Sequence, residues 1–176
     1  MTSNIVLPSL TNWAQQHLTR VFQTTAAADL DAAFDAFLAK DCVITVNGQK
    51  TTRDQYKQQL QGEKFAEASA SVKYLGAVEK PASDGLGSSG TVGLFFQATI
   101  DERFLVLGSP ESSTVTSSLN LTIAKDDTIK QPTLPGRGGA FDPRRVTEIN
   151  QVVVDNQNAV LLPLPNPTPA TGSAST

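Results

Sequence analysis

Apart from a short hairpin at 42–51, the apolar residues of this chain keep a helical rhythm as far as Gly62 and an alternating one beyond it. A 3.6-residue period paints a stripe along a helix, whereas a period of two paints one face of a strand. Helices gathered first and strands gathered after predict an α+β domain, with N-terminal helices packed against a strongly curved antiparallel sheet. No repeat interrupts that order.

The first stripe is the clearest. Leu10, Trp13, Ala14, His17, Leu18, Val21 and Phe22 recur at three- and four-residue steps, while Gln15, Gln16, Thr19, Arg20 and Gln23 take the other face. A second helix is expected from Asp29 to Lys40, with Asp29 as its N-cap and Leu30, Ala33, Phe34, Phe37 and Leu38 facing inward. Cys42 to Val46 reads as a short strand, Asn47-Gly48 as a hairpin turn, and Gln49 to Thr51 as the return arm. Thr52 and Gln55 form a capping box for a third helix bearing Tyr56 and Leu60, with Gly62 as its stop.

The strands follow. Ser69 to Glu79 presents Val72, Tyr74 and either Ala77 or Val78. In Thr91 to Asp101, Val92, Leu94, Phe96, Ala98 and Ile100 share one face. Val115, Ser117, Leu119, Leu121 and Ile123 oppose Thr116, Ser118, Asn120 and Thr122. The last strand, Arg144 to Asp155, holds valines in two registers, which predicts a bulge near Glu148. Residues 81–90 and 132–143 are loop-forming. The tail at 161–176 is Pro-, Ser- and Thr-rich with little to bury, so one domain over 1–160 and a disordered tail are expected.

Composition excludes several function classes. A net charge of −3, with Arg144-Arg145 as the only adjacent basic pair, offers no broad attraction to nucleic acid or anionic lipid. One histidine and one cysteine leave no zinc or iron set and no disulfide framework, so no metal and no cofactor are expected. Cys42 itself reads as a buried strand residue. The glycine-rich Gly136-Arg137-Gly138-Gly139 lacks the setting of a phosphate loop. The N-terminus has no positively charged leader, and no stretch reaches the length of a membrane span, so a soluble cytoplasmic or nuclear protein is expected.

The segments Leu10 to Phe22, Leu30 to Leu38, Asp41-Cys42-Val43-Ile44-Thr45-Val46-Asn47-Gly48 and Thr52 to Leu60, followed by strands to about Asp155, resemble the nuclear transport factor 2-like superfamily. The acidic residue before a short strand, then a turn and a small helix, looks like its SnoaL-like members. The resemblance implies a cone in which a bent sheet wraps the N-terminal helices. It implies chemistry at the mouth of that cone, where carboxylates or an Asp-His pair work in an apolar pocket. It also implies frequent pairing of two copies through the sheet face.

Three residues are candidates for proton transfer. His17 lies on the first stripe, but no Asp or Glu stands three or four residues away to orient its ring, so a packed histidine is the alternative. Tyr56 carries a hydroxyl that needs a partner. Glu148 points inward if the last strand keeps the Val146, Glu148, Asn150, Val152 register, and would then pair with Arg145 or Arg103 or stay protonated. Trp13, Phe34, Phe37 and Phe96 are candidates to line a pocket, or to be ordinary core. The expected function is a domain that binds a small apolar ligand. The alternatives are a non-catalytic homodimeric module joined through the Thr116, Ser118, Asn120, Thr122 face, and a cofactor-independent isomerase, cyclase or dehydratase.

Overall fold

The computed structural model describes residues 7–24, 26–65, 67–83, 88–106, 109–129 and 142–158. Three helices, α1 (Leu10–Gln23), α2 (Ala27–Phe37) and α3 (Arg53–Phe65), accompany six strands. These are β1 (Leu38–Val46), β2 (Gln49–Thr51), β3 (Glu67–Pro81), β4 (Gly90–Val106), β5 (Ser109–Lys125) and β6 (Arg144–Gln157). The strands form one curved, open sheet in the order β2-β1-β6-β5-β4-β3, and the helices pack on it, as expected for the α+β class.

Local signals account for most boundaries. Ser9 Oγ accepts from Asn12 N at 3.2 Å and opens α1, whose stripe buries Leu10, Trp13, Ala14, Leu18, Val21 and Phe22. The capping box closes as expected: Gln55 N donates to Thr52 Oγ1 at 3.2 Å and Thr52 N donates to Gln55 Oε1 at 3.1 Å. Asn47 and Gly48 both take positive φ, 50° and 79°, the signature of a tight hairpin turn. Gly90 is required for a different reason: a Cβ there would stand 2.5 Å from Lys80 O and 2.8 Å from Leu10 Cδ1.

Four expectations are corrected. Asp29 does not cap α2; Ala26 does, without a side-chain bond, and Asp29 lies in the first turn, where its charge still complements the helix dipole. That helix stops at Phe37, not Lys40, because Leu38 pairs with Val146 and draws the chain into β1. Gly62 does not end α3, which runs to Phe65; a glycine inside a helix costs only about 1 kcal/mol relative to alanine. The sheet is mixed, for β1 lies parallel to β6 while the other neighbours are antiparallel.

The bulge near Glu148 is present, and it decides the register of β6. Ile123 pairs with Val146 and Thr122 with Glu148, so Thr147 is the extra residue. Arg144 and Val146 face the core before it, and Ile149, Gln151 and Val153 after it. Glu148 therefore points outward and is exposed, contrary to the inward register considered above. A second irregularity between Tyr74 and Gly76 does the same to β3, leaving Val72 and Tyr74 half-buried and both Ala77 and Val78 exposed. The loop at 132–143 up to residue 141, part of the 81–90 loop, the side chain of Arg103 and the tail at 161–176 lie outside the described residues. Among the described residues no helix is long and apolar enough to cross a membrane.

Candidate functional site

Helix α3 stands off the sheet and roofs a partly open cleft of about 450 Å³, within the ~300–1,000 Å³ of ordinary ligand sites. Its apolar walls are Phe22 from the end of α1, Val46 from β1, Leu60 from α3, Val115 from β5 and Val153 from β6. Its polar lining is Asn47, Tyr56, Gln58, Gln59 and Gln151. The capping box fixes the start of α3, which turns Tyr56 and Leu60, four residues apart, toward the sheet. The helix is docked from outside by Arg53 to Asp35 at 2.6 Å and Lys57 to Asp31 at 2.8 Å, with Arg53 4.8 Å from the Phe34 ring centroid.

A buried hydrogen-bond chain crosses the cleft wall. Tyr56 Oη donates to Gln151 Oε1 at 2.8 Å, and Gln151 Nε2 donates to Ser117 Oγ at 3.0 Å. Asn47 anchors the rim by bonding both the N–H and the carbonyl of Val153, at 2.9 and 3.0 Å. Every described lining residue is uncharged.

The other half of α1 meets the sheet over different chemistry. Trp13 meets His17 at 4.5 Å between ring centroids, tilted by 46°, and Phe37 lies 5.8 Å from each, stacked parallel on His17. Arg144, with no exposed surface, sits 5.5 Å from the Trp13 ring centroid, bonds Asp142 through Nε and Nη2 at 2.6–3.1 Å, and donates to Pro8 O at 2.8 Å. Burial on its own would raise the Asp142 carboxyl, but the Arg144 hydrogen bonds and charge outweigh it and hold the group below its usual range. Burial, with the Arg145 guanidinium second, pushes the His17 imidazole down to about 4, while Asp142 opposes that shift. His17 Nδ1 and Trp13 Nε1 are buried without a hydrogen-bond partner among the described residues.

The candidate residues are thus dispersed. His17, Trp13 and Phe37 come together at the N-terminal half of α1; Tyr56 lies against Phe34 at 6.2 Å and is the one of the seven that lines the cleft. Phe34 and Phe96 are fully buried, Phe96 between Phe22 and Tyr74. Glu148 is on the opposite face of the sheet. Gln151, Ser117 and Asn47 were not singled out from sequence. A polar residue two positions after Ile149 in the inward register was the available signal for Gln151, and only the bulge makes that register visible. Cys42 is buried, and its thiol is pushed up to about 12, chiefly by burial, which suppresses the nucleophilic thiolate at neutral pH. Among the described residues no three His, Cys, Asp or Glu side chains are grouped to hold a metal ion.

This arrangement of helices packed on a bent sheet is the cone fold that the resemblance implies. No family model matches the sequence, and no curated protein matches it. Solved structures do. A proposed scytalone dehydratase from Novosphingobium aromaticivorans aligns over 89% of this chain and 90% of its own, with a TM-score of 0.56 at 13% identity. A proposed aromatic ring hydroxylase from the same organism aligns over 84% and 90%, with a TM-score of 0.56 at 8% identity. The hexachlorocyclohexane dehydrochlorinase LinA Type2 aligns over 89% and 94%, with a TM-score of 0.50 at 8% identity. Likeness at these identities is one of fold.

Proposed function

We propose that this chain is a small-molecule-binding domain of the SnoaL-like kind and that the cleft under α3 receives an apolar ligand. The observation that carries this reading is the cleft itself: about 450 Å³ of space with apolar walls and one buried polar chain set into them. The names of the similar structures add support, since each specifies a small molecule: scytalone, an aromatic ring, hexachlorocyclohexane. Binding is favoured over proton-transfer catalysis because no carboxylate or imidazole stands among the described lining residues, and His17, Tyr56 and Glu148 do not converge.

The test is a titration with the neutral dye Nile red. Saturable binding is expected for the native chain, and at least tenfold weaker binding for Val115→Phe, which fills the cleft from β5. Equal binding by both proteins would refute the cleft as the site.

We infer in addition that the outer sheet face pairs with a second copy. Phe95, 45% exposed, and Val152, 62% exposed, flank Ser118 in one cross-strand row, with Val154 opposite Thr116 and Val78 opposite Gly93 nearby. Ser118, Thr116, Asn120, Asn150 and Gln97 fill the spaces between them. The patch these residues form is uncharged and partly apolar, with Glu148 and Lys73 at its margins, so two copies can meet across it without like-charge repulsion at its centre. Light scattering should give twice the chain mass, and Phe95→Asp should halve it; a monomeric native protein would end this reading.

A further inference from the structure

Gln151 is the centre of the chain in the cleft wall, and its bonding pattern restricts what the cleft accepts. The side chain is 6% exposed and holds both its neighbours, Tyr56 through its amide oxygen and Ser117 through its amide nitrogen. A primary amide has two N–H donors. One goes to Ser117, and the other has no partner among the described residues. Tyr56 and Ser117 lock the amide plane from both sides, so the spare donor has a fixed direction, not a range of rotamers.

Two facts about the surroundings then select among ligands. No charged side chain lines the cleft among the described residues, so a carboxylate or ammonium would shed its hydration there and meet no countercharge. Gln151 lines the cleft, and a pure hydrocarbon packed against it would offer its spare N–H no acceptor. A ligand with a neutral acceptor oxygen avoids both penalties. Phe22, Leu60 and Val115 supply apolar contact for the remainder of such a molecule.

We propose that the cleft selects neutral ligands carrying a carbonyl or hydroxyl oxygen on an apolar body, and that Gln151, held by Tyr56 and Ser117, is the specificity-determining residue that donates to that oxygen. This rests on the cleft being the ligand site. Sites built to hydrogen-bond an oxygen discriminate strongly against analogues that lack it, because the protein group is left unpaired.

Three probes of matched size test it on the full chain by isothermal titration: 1-tetralone, its parent hydrocarbon tetralin, and the carboxylate 5,6,7,8-tetrahydro-1-naphthoate. The native protein should bind the ketone at least about tenfold more tightly than the hydrocarbon, with the carboxylate weakest. Gln151→Met, close in shape but without the amide, should bring ketone affinity down to that of the hydrocarbon, its folded state being checked by circular dichroism. Ser117→Ala, a smaller change behind the wall, should narrow the ketone preference part of the way by loosening the amide. A ketone-to-hydrocarbon ratio near one in the native protein would overturn the selectivity while leaving the cleft as a binding site. So would a carboxylate that binds as well as the ketone, or a preference that survives in Gln151→Met. If none of the three probes binds, the cleft reading itself falls, and the selectivity with it.

Discussion

The two ends of α1 rest on the same sheet and are built from opposite materials. At the N-terminal half, the rings of Trp13, His17 and Phe37 pack together, and a wholly buried Arg144 is held by Asp142. At the C-terminal end, Phe22 borders open space, and the polar atoms across from it belong to neutral Tyr56 and Gln151. One end is aromatic and charged; the other borders open space and is uncharged among its described lining residues. The contrast separates stability from recognition. A buried guanidinium is tolerated where its own hydrogen bonds are made, as those of Arg144 are by Asp142 and Pro8. Around the cleft, no described lining residue carries a charge that a ligand displacing water would leave uncompensated.

If that division holds, the largest stability loss should come from the closed end. Asp142→Asn would leave the Arg144 guanidinium buried without its carboxylate and should destabilise the fold by about 3–5 kcal/mol in urea unfolding. Replacing both partners, Arg144→Met with Asp142→Leu, should recover most of that loss, since the penalty lies in the unpaired charge. A loss below about 1 kcal/mol for the single change would show that this end does not carry the structure.

A middle-sized effect is expected from pH. Native His17 stays neutral to about pH 4, whereas in the unfolded chain it takes a proton near its ordinary value of 6.5. The unfolded state therefore binds more protons between those values, and stability falls as pH drops through the window from 6.5 to 4. Allowing for the partial exposure of the ring, the loss should be on the order of 2 kcal/mol. Asp142 adds a separate loss below its ordinary 3.8, because its depressed carboxyl stabilises the fold only while ionised. Comparing native protein with His17→Gln at pH 7 and 4.5 isolates the histidine: the variant should lose less. Parallel losses in the two proteins would assign the slope to other groups.

The smallest effect should come from the open end. Tyr56→Phe removes one hydrogen bond from the cleft wall and should cost about 1 kcal/mol of stability, while loosening Gln151 and weakening ketone binding. Were Tyr56→Phe as damaging as Asp142→Asn, the cleft wall would be part of the structural core and the contrast between the ends would fail.

Several features were legible without the fold because they depend on residues within a turn or two of one another. The stripe from Leu10 to Phe22, the Thr52–Gln55 capping box, the Asn47-Gly48 turn and the alternation from Val115 to Ile123 all have local causes. Those signals were enough for the α+β class and the resemblance to the cone fold. The candidate site was far less legible. Of the residues considered for it, Tyr56 lines the cleft, whereas Glu148 is turned outward by a one-residue bulge that moves every later side chain of β6 to the other face.

What only the tertiary structure decided involves pairs far apart in the chain. The parallel seam between β1 and β6 joins Leu38 to Val146 and shortens α2 by three residues. Tyr56 finds Gln151 across 95 positions, and Arg144 finds Pro8 across 136. Periodicity reports which face of an element is apolar, so the sequence by itself determined most elements and the side each one buries, except in β3 and β6, where a bulge resets the face. It carries no information about which element covers which, or where the cover falls short, and the shortfall under α3 is the cleft.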